Sequence, residues 1–276
     1  MTELLRVAGL RKAFGGVQAV DDVGFSLETG ELLAMIGPNG AGKSTCFNMI
    51  NGQLAPDAGS VRFLGQEIAG RRPRDIWRLG VGRTFQVAAT YASMTVVENV
   101  QMALLSHHRD LYRPWVRAAK LHRDEALALL DAVGLRERAD EPCNTLAYGD
   151  IKTVELAIAL ANRPKLLLMD EPTAGMAPKE RNALMQLTRA LVKERGIGVL
   201  FTEHSMDVVF AHADRVMVLA RGRLIASGTP AQIRENEQVR EVYFGSGRLV
   251  QGVRGTGTAE APGTQASRAA LGVATR

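Results

Sequence analysis

The feature that most constrains this chain is a glycine-rich segment directly after a short apolar run. Leu32–Ile36 is uniformly apolar, which is typical of a strand buried on both faces. It leads into Gly37-Pro38-Asn39-Gly40-Ala41-Gly42-Lys43-Ser44, which matches the pattern G-x-x-x-x-G-K-[ST]. Helical spacing follows from Lys43 to Asn51. A strand, a glycine-rich turn and a helix in this order predict a parallel α/β fold with a phosphate-binding loop.

The residue types in this loop suit a nucleoside triphosphate and its metal ion. Glycines let successive backbone N–H groups converge on anionic oxygens, and the helix N-terminus behind them adds positive potential. Lys43 is expected to reach the β- and γ-phosphates, Ser44 to bind Mg²⁺ and Thr45 to contact the α-phosphate. The predicted ATP-binding residues of the loop are Gly37, Asn39, Gly40, Gly42, Lys43, Ser44 and Thr45.

Acidic residues and a histidine follow two later apolar runs. Lys165–Asp170 predicts a strand that ends at a carboxylate, and Glu171 is the next residue. We expect Asp170 to hold Mg²⁺, directly or through water, and Glu171 to polarise an attacking water. His204 follows the apolar run of a further strand and would sense the γ-phosphate. Each is an ordinary surface residue when taken alone, but the phosphate loop upstream favours the functional interpretation.

Composition excludes several classes of protein. Of the 276 residues, 46% are hydrophobic and 23% charged, which is a globular balance rather than a disordered one. The net charge is +5, and residues 246–276 supply most of it, so a basic surface that wraps nucleic acid is not indicated. The two cysteines, Cys46 and Cys143, suit a reducing compartment. We expect no membrane span and no secretory signal, because no sufficiently long apolar run is present.

The remaining patterns divide the chain into segments. Short strands at Leu4–Leu10 and Val23–Leu27, around a Phe-Gly-Gly turn, predict an N-terminal β unit. Residues 90–162 carry helical patterns and predict an inserted helical subdomain within a domain spanning 1–245. Residues 246–276 are rich in Gly, Ala and Thr and predict a disordered tail. The other predicted elements are a strand at Ser60–Leu64, helices at Ala118–Val133 and Lys179–Glu194, a strand at Gly198–Thr202, and a hairpin of Arg215–Ala220 and Arg223–Ser227.

The order of these motifs resembles that of the ATP-binding subunits of ABC transporters. The Walker A motif is GPNGAGKST at 37–45 and the Walker B motif is LLLMDEP at 166–172. The resemblance runs from about Leu5 to Gly245 and implies a P-loop NTPase (RecA-like) core, an N-terminal antiparallel β subdomain and the helical insertion. It also implies that Gln86, in GRTFQ, contacts Mg²⁺ or water and couples to a membrane subunit. Phe14 would stack on adenine, with packing inside the first sheet as the alternative.

Two motifs depart from the family pattern. The signature, usually Leu-Ser-Gly-Gly-Gln, reads Leu146-Ala147-Tyr148-Gly149-Asp150. Ala147 lacks the serine hydroxyl that would reach a γ-phosphate bound to a partner subunit, whereas Gly149 keeps the close backbone approach. The D-loop position that is commonly Asp is Ala177. Both changes would weaken the contribution of this chain to its partner's site, so we expect an asymmetric pair.

The same departures resemble one type of importer. LAYG, GRTFQ, AGM after EPT, and TEHSM are similar to an ATPase subunit of branched-chain (hydrophobic) amino acid importers. This implies ATP hydrolysis coupled to uptake, at the cytoplasmic face of the inner membrane. The implied partners are two membrane permeases, a periplasmic binding protein and a second ATP-binding subunit, different from or identical to this chain. Urea, short amides and aromatic compounds are alternative solutes.

Other interpretations remain open at this point. A non-transport ABC ATPase would usually carry a coiled-coil or zinc insertion or a second cassette, and the sequence shows none of these. A P-loop kinase would replace the signature region. Tyr91, Met94 and Val96 could form a groove for a permease helix or simply pack between helices. The basic run from Arg71 to Arg78 could face phospholipid or only water.

Overall fold

The computed structural model describes residues 2–84, 90–110 and 121–244. The strands in these ranges are β1 (Glu3–Phe14), β2 (Val17–Glu28), β3 (Leu32–Ile36), β4 (Ala58–Phe63), β5 (Gln66–Glu67), β6 (Val81–Thr84), β7 (Leu166–Asp170), β8 (Gly198–Thr202), β9 (Arg215–Ala220) and β10 (Arg223–Gly228). The α-helices are α1 (Lys43–Ile50), α2 (Pro73–Arg78), α3 (Val96–His108), α4 (Arg123–Ala132), α5 (Tyr148–Leu160), α6 (Pro178–Arg195), α7 (Met206–His212), α8 (Pro230–Glu235) and α9 (Glu237–Phe244). Within these ranges, no helix combines the length and apolar character needed to cross a bilayer.

A six-stranded sheet carries the candidate site. Its strand order is β10-β9-β3-β8-β7-β6, and every neighbouring pair is parallel except β10 with β9. Because helices cross between the parallel strands, both faces of the sheet are covered and its central strands are apolar throughout. Strand β3 shows this directly, since all five of its residues are buried.

The sheet separates two hydrophobic cores. Leu32, Ala34 and Ile36 of β3 face the core shared with α3–α6. Leu33 and Met35 face the other core, which contains residues of α1 and the N-terminal strands. This alternation follows from the two-residue repeat of a strand. The sheet is therefore held rigidly from both sides at the strand that leads into the glycine-rich loop.

A second, four-stranded antiparallel sheet has the order β2-β1-β4-β5. Its first two strands extend beyond the predicted Leu4–Leu10 and Val23–Leu27, because they pair from Glu3 with Glu28 to Phe14 with Val17. The predicted turn at Gly15 and Gly16 is confirmed, and both residues have the positive φ that favours glycine. The predicted N-terminal antiparallel unit beside a parallel core is thus confirmed.

The helical segment lies between β6 and β7 and contains α3, α4 and α5. Helix α3 starts with a capping box, in which the Thr95 Oγ1 accepts from the Glu98 N–H at 3.3 Å and Glu98 Oε2 accepts from the Thr95 N–H at 2.8 Å. Helix α4 begins at Arg123, later than predicted, because residues 121–122 form a turn with His122 at φ 55°. The predicted tail, 246–276, lies outside the described residues.

Candidate nucleotide site

The predicted site residues meet at one edge of the parallel sheet. Strands β3, β7 and β8 are neighbours, and Asp170 and Thr202 are paired across β7 and β8. Parallel strands present their carboxyl ends at the same edge, where ligands bind in open α/β sheets. The charges of Asp170 and Glu171 both act on the Lys43 ammonium. The structure therefore places the phosphate loop and the two carboxylates close together.

The glycine-rich loop has a backbone that only glycine permits at key positions. Gly42, at the start of α1, has φ 103°, and a Cβ there would lie 2.4 Å from the Ala19 carbonyl oxygen. A Cβ at Gly37 would lie 2.2 Å from the Leu219 carbonyl oxygen. Any side chain at either position would displace the loop from the strands beside it. The loop therefore fits the close approach of a phosphate group to backbone N–H groups.

Lys43 is buried at the base of this loop. Its Nζ donates to the carbonyl oxygens of Gly37 at 2.6 Å and Pro38 at 3.1 Å, and the residue is only 7% exposed. Burial lowers the pKa of Lys43, and the negative charges of Glu171 and Asp170 act in the opposite direction. The ammonium is thus confined between the loop and two carboxylates, in a position that suits a triphosphate.

Asp170 is held by two residues that the sequence analysis did not single out. The Thr202 Oγ1 donates to Asp170 Oδ1 at 2.7 Å, and the Arg83 guanidinium lies 3.3 Å from Oδ2. Arg83 also donates to the side-chain oxygens of Asn48 at 3.1 Å and Gln53 at 2.9 Å. A hydroxyl at the end of an apolar strand was the only sequence signal for Thr202. Arg83 lay inside the quoted GRTFQ, but nothing in the sequence linked it to Asp170.

Glu171 and His204 form a direct pair. His204 Nε2 lies 2.8 Å from Glu171 Oε1. Glu171 adopts φ 49°, a left-handed conformation that is unusual outside glycine and is concentrated at functional sites. Its backbone N–H donates to both the carbonyl oxygen and the Oγ1 of Thr202, at 3.2 and 3.0 Å. Thr202 therefore fixes the directions of both acidic residues.

A buried glutamate anchors the loop that carries His204. Glu203 is 3% exposed, and its Oε1 accepts from the N–H and the hydroxyl of Thr173 at 2.9 and 2.6 Å. Its Oε2 accepts from the His204 N–H at 3.2 Å. Since Thr173 follows Glu171 closely in the chain, this contact joins the two loops that present the Glu171–His204 pair.

The signature segment begins α5 and touches the start of α6. Leu146 is buried, Ala147 precedes the first turn, and Tyr148 is 44% exposed. A Cβ at Gly149 would lie 3.1 Å from Glu180 Cδ, so this glycine allows the two helices to approach. Ala147 makes no side-chain cap hydrogen bond, as its lack of a hydroxyl requires.

The other predicted ligand-binding residues differ in how exposed they are to solvent. Ser44 and Asn39 are exposed, and Thr45 is half-buried at the first turn of α1. Phe14 is 50% exposed, with the Lys12 Nζ 5.8 Å from its ring centroid, so it does not pack into the sheet core. Gln86, the predicted contact to Mg²⁺ or water, lies outside the described residues, as do the rest of residues 85–89.

Comparison with known protein families identifies the family of this chain. Residues 20–174 match the model of the ABC transporter family. The chain belongs to the ABC transporter family. Residues 223–248 of this ABC cassette also match a model described as a branched-chain amino acid ATP-binding cassette transporter. The predicted resemblance is confirmed, and with it the ATP-binding cassette and its ATPase class.

The similarity to known proteins covers nearly the whole cassette. It is 39% identical over 252 residues to the high-affinity branched-chain amino acid transport ATP-binding protein BraF of Pseudomonas aeruginosa, covering 88% of this chain and 98% of BraF. It is 38% identical to LivG of Escherichia coli, with the same coverage. A solved ATP-binding cassette of an ABC transporter in its ADP conformation superposes with a TM-score of 0.81, at 32% identity, over 89% of this chain and 100% of that one. The predicted P-loop NTPase fold is confirmed.

Proposed function

We propose that this chain is the ATP-hydrolysing subunit of an importer for branched-chain amino acids. The observation that carries the catalytic part is the Glu171–His204 pair, 2.8 Å apart, beside the buried Lys43 ammonium. Phosphoryl transfer to water depends on positioning and on charge stabilisation rather than on covalent catalysis. A carboxylate fixed beside a cation at the mouth of a phosphate loop meets both requirements.

Each side chain has a defined part in this proposal. Lys43 and the loop amides bind the β- and γ-phosphates, and Glu171 accepts a hydrogen bond from the attacking water and orients it. His204 holds Glu171 in place and contacts the γ-phosphate. The oxygen donors of Ser44 and Asp170 fit a Mg²⁺ ion, which would neutralise phosphate charge when bound. The same proposal assigns Phe14 to adenine and Gln86 to the metal and the membrane subunit.

The catalytic assignments are tested by Glu171→Gln and His204→Ala. We expect both variants to bind ATP, because neither removes the loop or Lys43, and to lose at least a hundredfold in the rate of hydrolysis. Nucleotide binding is measured with a fluorescent ATP analogue and turnover by phosphate release, in complex with the permeases. A Glu171→Gln variant that retains wild-type turnover would contradict the proposal.

Membrane permeases are the partners that an ABC ATP-binding subunit requires, and a loop before α3 provides a suitable surface. Tyr91 is 58% exposed there, while its N–H and C=O bond to the side chain of the buried Asn99, at 2.7 and 3.2 Å. Val96, by contrast, is fully buried in the core, so it is not part of a groove. We assign residues 90–162 to a helical subdomain that presents Tyr91 to a short permease helix.

The solute is proposed from the relatives, since the ATP-binding subunit does not itself enclose it. BraF and LivG are named for high-affinity branched-chain amino acid transport. The test is uptake of labelled leucine and of labelled urea by cells that express this chain with its own permeases and binding protein. Leucine uptake that is lost in Glu171→Gln is the expected result. Uptake of urea without leucine would overturn the proposed solute.

The changes at Ala147 and Ala177 support an asymmetric pair with a second, different ATP-binding subunit. Neither alanine side chain can offer an oxygen or a charge to a nucleotide bound by the partner. Glu171→Gln here and the equivalent change in the partner should therefore reduce turnover to different extents. Equal losses from the two variants would contradict the asymmetry while leaving the ATPase assignment intact.

A further inference from the structure

Three side chains with metal-binding atoms lie together where α3 ends and α4 begins, and none of them belongs to the nucleotide site. They are His108, His122 and Glu125, and one nitrogen or oxygen of each lies within 4.8 Å of the others. His108 Nε2 is 2.9 Å from Glu125 Oε2, and His122 Nδ1 is 3.8 Å from the same oxygen. We propose that these residues form a binding site for a divalent transition-metal ion such as Zn²⁺.

The donor set matches this class of ion. Two imidazole nitrogens and one carboxylate oxygen form a typical borderline ligand set, which suits Zn²⁺ and its first-row neighbours better than Mg²⁺ or Ca²⁺. Three protein ligands would leave at least one position for water. His122 also has the support behind its ring that metal-binding histidines usually have, since its Nε2 lies 2.9 Å from Asp110 Oδ2.

That support determines which nitrogen of His122 is available. A carboxylate only accepts, so the contact to Asp110 places the ring proton on Nε2 and the lone pair of the neutral ring on Nδ1. Nδ1 faces Glu125 Oε2, which also carries lone pairs. Two electron-rich atoms that face each other across 3.8 Å are stabilised by a positive charge between them. A metal ion meets this requirement, and on binding it would replace the 2.9 Å contact between His108 Nε2 and Glu125 Oε2, with the ring proton of His108 moving to Nδ1.

Ring contacts lie within the cluster and beside it. The rings of His108 and His122 are stacked with centroids 4.3 Å apart and planes 12° apart. His107 packs against His108 and against Trp77 in edge-on contacts, with centroid distances of 5.0 and 5.8 Å. Because the two stacked rings are nearly parallel, one of them must turn about its side-chain bonds before both in-plane lone pairs point at one ion.

Charged side chains lie around the cluster. Asp110 and Glu125 supply two carboxylates, and the Arg163 guanidinium, 3.0 Å from Glu125 Oε1, supplies one positive charge. The Arg163 side chain is 73% exposed, so it can remain on the outer oxygen or move into water. Arg123, at the start of α4, pairs with Asp140 at 2.6 Å. Bound metal would join the end of α3 to the start of α4.

The test is zinc binding by the full-length, tag-free chain. After treatment with EDTA, it is dialysed against Zn²⁺ without nucleotide or Mg²⁺, and bound zinc is counted by mass spectrometry. We expect one zinc per chain and a visible ligand-field spectrum with Co²⁺ in its place. His108→Ala and His122→Ala should each weaken binding at least tenfold, and Asp110→Asn by about tenfold, because it removes the negative charge behind His122 and not a ligand.

The adjacent His107 provides a matched control. Its Nδ1 lies 3.1 Å from Asn162 Oδ1, and none of its atoms belongs to the cluster. His107→Asn should bind zinc as wild type does. The proposal would be overturned if wild type bound zinc no more tightly than His108→Ala does. It would also be overturned if His107→Asn lost as much zinc affinity as His108→Ala. A chain whose histidines take up protons as the pH falls but which binds no zinc at any pH would also overturn it. Because Asp110→Asn keeps both histidines and the carboxyl shape, it tests the site even where an alanine variant fails to fold.

Discussion

At the scale of single residues, an ion pair lies almost fully buried inside α5. Lys152 Nζ lies 3.1 Å from Glu155 Oε2, and the two side chains are 2% and 5% exposed. Removing the charge of one partner takes away the nearest opposite charge from a buried ion, which costs up to about 3–5 kcal/mol. We therefore expect Glu155→Gln to lower the free energy of unfolding by that amount, measured by urea denaturation.

An exposed pair provides the comparison. Arg6 and Glu3 are 3.9 Å apart with exposed side chains, and water screens such pairs. Glu3→Gln should change the free energy of unfolding far less than Glu155→Gln. Equal losses from the two substitutions would show that burial does not determine the contribution of the α5 pair.

A buried histidine makes the stability depend on pH. His212 is 6% exposed, with Nε2 3.2 Å from Asn182 Oδ1. Burial, followed by the charge of Arg189, lowers the pKa of His212 below its usual 6.5. The unfolded chain therefore takes up this proton first as pH falls. The stabilisation is complete above the unfolded pKa and is lost as pH falls below it toward the folded pKa.

His212→Gln tests this dependence, because glutamine does not titrate. We expect the stability of wild type relative to the variant to be greatest above pH 7 and to shrink between pH 7 and pH 5. Urea denaturation at each pH provides the comparison, and other titrating groups cancel in the difference. A difference that stays constant with pH would contradict the lowered pKa of His212.

At the scale of elements, both departures from the family motifs fall on helix N-caps. Ala147 precedes α5 and Ala177 precedes α6, with ψ of 154° and 153°. The Ala177 N–H already donates to Glu180 Oε2 at 3.1 Å, which is half of a capping box. Each helix thus starts with cap geometry but without the side-chain oxygen that normally completes it.

Serine at these positions should stabilise the fold. Ala177→Ser completes the box, and Ala147→Ser supplies an acceptor for α5, so each should raise the free energy of unfolding by about 0.5–2 kcal/mol. Ala183→Ser, at an exposed position inside α6, is the control and should be slightly destabilising, because serine is a weaker helix former than alanine. Thermal unfolding of all three variants tests the comparison. No gain at Ala177 would contradict the capping argument.

The elements also show where sequence patterns suffice and where they do not. Strands β3, β8 and β9 match their predicted bounds, since each is built around a continuous apolar run. Strand β6 was not predicted. Its sequence, Val-Gly-Arg-Thr, is short and contains glycine, and it forms a strand only because its backbone pairs with β7 from Val81 to Thr84. Such tertiary pairing leaves little trace in local composition.

At the scale of the whole molecule, the sequence predicted the motifs of the site but not the hydrogen bonds and ion pairs that connect them. The phosphate loop, Asp170, Glu171 and His204 each follow an apolar strand, so their convergence follows from parallel topology. The contacts of Arg83 and Thr202 with Asp170 cross 87 and 32 positions of sequence. Nothing in the spacing of those residues indicates that they meet.

A contact that spans still more of the sequence joins helix α9 to the phosphate loop. Burial raises the pKa of Tyr243 to about 12, against the opposing effect of a hydrogen bond with the Gly37 backbone. A cavity of about 650 Å³ lies beside this contact, lined by Pro38 on the loop and by Gln238 and Val242 on α9. The phenol is therefore neutral at physiological pH and holds the first glycine of the loop from 206 positions away.

Tyr243→Phe separates this contact from packing, because it removes only the hydroxyl. A neutral hydrogen bond contributes about 1 kcal/mol, which corresponds to roughly fivefold in affinity if the bond orders the loop for ATP. We expect ATP binding to weaken by that factor, with little change in the unfolding midpoint, in titrations with a fluorescent nucleotide. Gln238→Ala, exposed on the same helix, should bind as wild type. Equal affinity in Tyr243→Phe and wild type would mean that α9 packs beside the loop without ordering it.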